Sequence, residues 1–202
     1  MGLTVTATRF PCPGRGPGTG IVAFGASSTR PEASAVRPWP ERVTPYDGAM
    51  TAEQDAPRVV SASREIAAAP ERIFELIADP AQQPRWDGND NLREAQTGQR
   101  VRRAGDVFTM TLTTGSVRQN HVVEFEEARR IAWHPSEVGR RQPGHLWRWE
   151  LAPAGDSRTL VTHTYDWTLL TDQNRLPRAK STTPEKLMAS LDRLAAIAEA
   201  AH

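Results

Sequence analysis

Cysteine is almost absent. Cys12 is the single one in 202 residues, which excludes an intrachain disulfide and any cysteine-based metal centre. Charge of one sign is missing too: 25 Lys and Arg stand against 24 Asp and Glu. That balance gives no electrostatic basis for binding nucleic acid or an anionic membrane surface. The basic stretch "GRRQPG" has no aromatics interleaved and reads as a loop. No apolar run approaches the length of a membrane span, so no membrane insertion is expected. The N-terminus lacks the charged-then-apolar order of a secretory signal, since "GIVAFGASS" is short, weakly apolar and preceded by prolines. The expected compartment is the cytoplasm. Histidine spacing offers no HxxxH pair and no carboxylate-supported cluster, so neither a metal nor a cofactor is expected.

Hydrophobic residues are also scarce, at 38% of the chain, and they are unevenly spread. Residues 1–57 hold eight of the sixteen prolines and seven of the fourteen glycines, with no sustained period of 2 or 3.6. Such a segment buries too little apolar surface to offset its ordering entropy. It is expected to be a disordered tail, or, over 1–49, sequence upstream of a start at Met50. The folded domain is expected over 58–202.

What is there begins with "RVVSASREI" (58–66), a Val- and Ile-rich first strand. Pro70 suits the first position of a helix, where its missing N–H costs nothing. "PERIFELIADP" sets Ile73, Phe74 and Ile77 on one face, and Pro80 stops it. "AQQPRW" is at most a short second helix, "DGNDN" is a turn, and "NLREA" is a short strand. "DVFTMTL" alternates Phe108, Met110 and Leu112 against threonines. A two-residue loop at Thr114-Gly115 would pair Leu112 with Val117, Met110 with Gln119 and Phe108 with His121. "IAW" follows, with Ile131 and Trp133 on one face. After a connector over 169–182, Thr183 can cap and Pro184 can open a last helix. Leu187, Leu191, Leu194 and Ala198 recur there at helical spacing, with Met188 beside them. Helices at both ends of a run of antiparallel strands make an α+β pattern, with one sheet face free to meet water.

The most distinctive run is "HLWRWEL" (145–151), with two tryptophans one residue apart. Strand alternation puts His145, Trp147, Trp149 and Leu151 on one face, and Leu146, Arg148 and Glu150 on the other. "TLVTHTYDWTL" repeats the pattern with Val161, His163, Tyr165 and Trp167. Pairing Trp149 with His163 sets Trp147 opposite Tyr165 and His145 opposite Trp167, a favourable aromatic ladder.

These segments resemble the START-like, helix-grip (SRPBCC) superfamily. The flavour is that of its bacterial polyketide cyclase/dehydrase-like group. The motifs that carry the likeness are "APERIFELIADPAQQPRWDG", "GDVFTMTL", "NHVVEFEEARRIAWHP", "GHLWRWELAPAGDSRTLVTHTYDW" and the last helix, over roughly 58–202. The resemblance implies a curved antiparallel sheet of about seven strands gripping the C-terminal helix, with an apolar cavity between them. It also implies that the loops at Trp86-Asp87-Gly88 and before the last helix lie at its mouth. Trp86 and Met188 thereby join the inward rows as candidate ligand-binding residues. Those rows comprise Phe108, Met110, Gln119 and His121, then Trp133, and finally His145, Trp147, Trp149, His163, Tyr165 and Trp167.

For each tryptophan the plain alternative is core filling. For each histidine it is an ordinary satisfied side chain. Asp166 and the run Glu124, Glu126, Glu127, Arg129 and Arg130 are expected to be solvated. Three functions are left in view. The first is a binder of a hydrophobic small molecule such as a lipid, polyketide or aromatic metabolite. The second is a polyketide cyclase or dehydratase in which His163 and Tyr165 move protons. The third is a protein-interaction module with a filled core. An open cavity and the chemistry of its lining discriminate among them.

Overall fold

The computed structural model describes residues 57–200. The expectations for the Pro/Gly-rich stretch, for Cys12 and for a start at Met50 lie outside the described residues.

Seven strands make one antiparallel sheet: β1 (Val59–Ile66), β2 (Leu92–Glu94), β3 (Val107–Leu112), β4 (Val117–Glu126), β5 (Arg130–Glu137), β6 (Leu146–Pro153) and β7 (Thr159–Asp166). Their order across the sheet is β1-β7-β6-β5-β4-β3-β2, so the first two strands are its edges. Helix α1 (Pro70–Ala78) opens with Pro70 at its first turn and buries Ile73, Phe74, Ile77 and Ala78. Asp79 leaves helical conformation just before Pro80, which starts a 3-10 turn (Pro80–Gln82) leading into α2 (Gln83–Trp86). The connector before the last helix is not plain loop. It holds a 3-10 turn (Gln173–Arg175) and α3 (Leu176–Lys180).

Helix α4 (Pro184–Glu199) closes the domain. Leu187, Leu191 and Leu194 are fully buried on it, which is the apolar stripe that the spacing predicts. Thr183 stands in extended backbone at the cap position, yet its side chain makes no capping hydrogen bond. The loop after α2 crosses α4 closely. Gly88 N–H donates to Ser190 Oγ at 2.8 Å, and a Cβ at residue 88 would lie 2.4 Å from the Ser190 backbone nitrogen and 2.5 Å from the Lys186 carbonyl oxygen. Only glycine fits that crossing.

The β6–β7 ladder has the expected register, Trp147 opposite Tyr165 and Trp149 opposite His163. It starts at Leu146 opposite Asp166, so His145 and Trp167 lie just beyond it. The β3–β4 hairpin does not have the expected register. Met110 faces Arg118, Phe108 faces Asn120, Thr109 faces Gln119 and Val107 faces His121. The cause is the turn. Gly115 N–H donates to the Leu112 carbonyl at 2.8 Å, and Leu112 N–H donates to the Ser116 carbonyl at 2.8 Å. Gly115 sits at φ +83°. This is a three-residue loop ending in a left-handed glycine, which adds one residue to the two-residue loop expected from the sequence. A one-residue slip exchanges faces along the whole strand. Gln119 and His121 therefore share the row of Val107, Thr109 and Thr111, away from the buried Phe108 and Met110. Asn120 and Val122 are the buried residues of β4.

Candidate functional site: an aromatic cavity with a basic mouth

A cavity of about 300 Å³ opens between the inner sheet face, the loop after α2 and the α3 connector. Its floor is the β6–β7 ladder. Trp149 stacks on His163 with ring centroids 3.7 Å apart and planes 12° from parallel. Trp147 lies 4.3 Å from Tyr165 and 5.4 Å from His163, tilted by 33° on each. Trp86 meets Trp149 edge-on at 5.0 Å, and its indole N–H is anchored to the Leu76 carbonyl at 2.8 Å. The aromatic row is thus partly core and partly wall: Trp149 is fully buried, while Trp147 is half-buried.

Eight residues expected inside border this cavity: Trp86, Met110, Trp133, His145, Trp147, Trp149, His163 and Tyr165. Five others do not. Phe108 is buried behind the wall, edge-on to Trp133 at 5.4 Å. Trp167 is buried beneath the Arg58 guanidinium, which lies 5.0 Å over its ring. Met188 packs against the main core. His121 Nε2 lies 3.0 Å from Ser136 Oγ, and Gln119 Oε1 accepts from Gly139 N–H at 3.3 Å.

The roof also differs from expectation. Lys186 is the α4 residue that borders the space, and the connector supplies Leu170, Arg175, Arg178, Ala179, Ser181 and Thr182. Arg118 and Asn120 enter from β4. These two were hidden by the misread hairpin, and a left-handed Gly115 was the signal that would have found them. Asp87 also faces the cavity, but its carboxylate is occupied by the backbone N–H groups of Asn89, Asn91 and Leu92 at 2.9–3.1 Å, so it shapes the loop.

Burial sets the protonation of the floor. It pushes His163 down to about 3. It also pushes His145 down to about 4, with help from Arg175, His134, Arg178 and Arg118. Burial pushes Tyr165 up to about 12, against the pull of Arg178 and Arg175. All three are neutral at pH 7. His163 Nδ1, His145 Nδ1 and Trp149 Nε1 are buried with no hydrogen-bond partner among the described residues. No group of three or more His, Cys, Asp or Glu side chains among the described residues is arranged to hold a metal ion.

Outside the sheet, Arg148 points away from the cavity, its Nε donating to Glu124 Oε2 at 3.0 Å. Among the described residues no helix is long and apolar enough to cross a membrane.

A curved seven-stranded antiparallel sheet closed by a C-terminal helix defines the START-like, helix-grip class. The chain belongs to the family described as "Polyketide cyclase / dehydrase and lipid transport", whose model matches residues 57–199. It is similar to the "Uncharacterized protein Rv0088" of Mycobacterium tuberculosis, 26% identical over 162 residues, covering 74% of this chain and 66% of that protein's length. Among solved structures it is similar to protein CV1439 from Chromobacterium violaceum, with a TM-score of 0.52, 19% identity and coverage of 71% of this chain and 98% of the other. Protein MLL2253 from Mesorhizobium loti is similar at a TM-score of 0.54, 15% identity and coverage of 71% and 98%. At such identities these structures show the fold alone.

Proposed function

We propose that this protein binds a hydrophobic small molecule in the cavity between its sheet and the covering helices. The observation that carries this reading is the cavity of about 300 Å³ floored by Trp147, Trp149, His163 and Tyr165. It is concave, aromatic and supplied with a few polar atoms that have no partner among the described residues, which is how small-molecule sites are built. A filled interior would instead have favoured a protein-interaction module. The family's description, which includes lipid transport, is consistent with a binder.

Proton transfer by His163 and Tyr165 has weaker support. A general acid or base works best with a pKa near the working pH. Burial drives His163 to about 3 and Tyr165 to about 12, in opposite directions away from neutrality. Trp147, not an ionisable group, lies against both rings.

Fluorescence titration with N-phenyl-1-naphthylamine, an apolar aromatic probe, tests the reading. One saturable site with altered tryptophan emission is expected. Trp147→Ala should weaken binding about tenfold, the equivalent of ~1.4 kcal/mol of lost aromatic contact. Arg148→Ala, on the opposite face, should leave it unchanged. No saturable binding, or damage from Arg148→Ala alone, refutes the reading.

A further inference from the structure

The cavity's floor is aromatic, but its lining also carries positive charge. Arg118, Arg175, Arg178 and Lys186 all border it, against Asp87 as the one acid on its lining among the described residues. The Asp87 carboxylate is already saturated by the N–H groups of its own loop. Arg175 is likewise satisfied, by Glu137 Oε1 at 2.5 Å and Asp172 Oδ2 at 3.3 Å. Arg118 and Arg178 are different. Among the described residues, no carboxylate lies within salt-bridge distance of either. Arg118 reaches only the Val117 carbonyl, at 3.4 Å. It is half-buried on the inner row of β4; burial lowers its pKa, Glu137 across the ladder on β5 pulls it back up, and Arg175 and Arg178 add like-charge repulsion.

Arg118 is partly desolvated without a direct ion pair, and Arg178 adds a second positive charge from the exposed rim of the same space. The same arrangement is a focused positive potential for an anion that enters. Neutral polar groups lie beside it. The Tyr165 hydroxyl, held protonated, makes no hydrogen bond among the described residues and feels both Arg178 and Arg175. Asn120 is 6% exposed and borders the cavity, so its side-chain amide lies within reach of a bound headgroup. A guanidinium takes a carboxylate through two parallel N–H donors, and a phenol adds a third.

We propose that the cavity's ligand is an organic anion, with an aromatic or alicyclic body lying on Trp147, Trp149 and His163 and a carboxylate-type headgroup held by Arg118 and Arg178. This rests on the reading that the cavity binds a small molecule. Tyr165 is the neutral donor to the headgroup, and Asn120 fixes its orientation from the wall.

The test uses the full chain and displacement of N-phenyl-1-naphthylamine by two competitors of the same shape, 2-naphthoate and 2-naphthylmethanol. The carboxylate should displace the probe at an at least tenfold lower concentration than the alcohol. The double variant Arg118→Met/Arg178→Met should abolish that preference while leaving displacement by the alcohol as it was, which also shows that the cavity is intact. If the double variant binds neither competitor, Arg178→Ala alone, at an exposed position, decides by its effect on the preference. Equal displacement by both competitors, or a preference that survives in the variants, overturns the anionic ligand and leaves the small-molecule reading standing. Failure of the probe itself to bind overturns both.

Discussion

Replacing His163 with phenylalanine should change how stability responds to acid. In the folded protein His163 is 3% exposed, and burial holds it at about 3 rather than the ordinary 6.5. Its Nδ1 has no hydrogen-bond partner among the described residues, so no hydrogen bond offsets the cost of protonation. The sign follows directly. Below pH 6.5 the unfolded chain binds a proton at this site that the folded chain refuses, so the unfolded state gains. Stability is therefore complete at neutral pH and is lost as pH falls from 6.5 towards 3. The slope is about 1.4 kcal/mol per pH unit for one proton, or about 3 kcal/mol between pH 7 and 4.5. Phenylalanine keeps a ring to stack on Trp149, now 3.7 Å away, and removes the unpartnered nitrogen. At pH 7 the variant should be at least as stable as the parent. Between pH 7 and 4.5 it should lose about 3 kcal/mol less in chemical denaturation. His145 and the carboxylates paired to arginine contribute acid sensitivity of their own, but equally to both proteins, and cancel in the difference. A parent and a variant whose losses differ by less than about 0.5 kcal/mol would show that His163 is solvated in the folded state and that the floor of the cavity is wet.

Leu191→Ala should cost about 2–5 kcal/mol by thermal or chemical denaturation, because the side chain is fully buried between α4 and the sheet. A cost below about 0.5 kcal/mol would mean that the sheet does not grip this helix. Gly88→Ala should destabilise by about 1–3 kcal/mol, since the added methyl meets the α4 backbone and not a flexible side chain; an unchanged melting temperature would refute the close crossing. Arg148→Ala removes a half-exposed ion pair with Glu124, and should change stability by less than about 1 kcal/mol.

The fold was legible because its signals were redundant. Alternation over "HLWRWEL" and "TLVTHTYDW" specified not only strands but their pairing, since the other parity would have set tryptophans against threonines. Prolines 70, 80 and 184 marked helix ends where missing N–H groups cost nothing. The α3 connector was illegible for the opposite reason. "QNRLPRAK" is polar, contains a proline and has no sustained period. Its short helix is held in place by tertiary contacts, with Ala179 buried and the Arg175 side chain tied to Glu137. Such elements follow from the fold and do not announce themselves locally.

One turn explains most of what was misread about the site. "TTGS" fits a two-residue or a three-residue loop equally well by composition, and the choice belongs to Gly115 in its left-handed conformation. With the shorter loop, β4 would turn Gln119 and His121 inward and leave Arg118 on the solvent side, and the cavity would be neutral on that wall. With the longer one, Arg118 and Asn120 face the aromatic floor. The same one-residue shift brings Arg118 into one cavity lining with the connector's Arg178. On the proposed reading, a ligand that ends in an anion would give Arg118 and Arg178 a shared partner that an apolar body alone does not supply. The hairpin register, rather than any motif, thus decides whether this cavity selects for hydrophobicity or for hydrophobicity joined to negative charge.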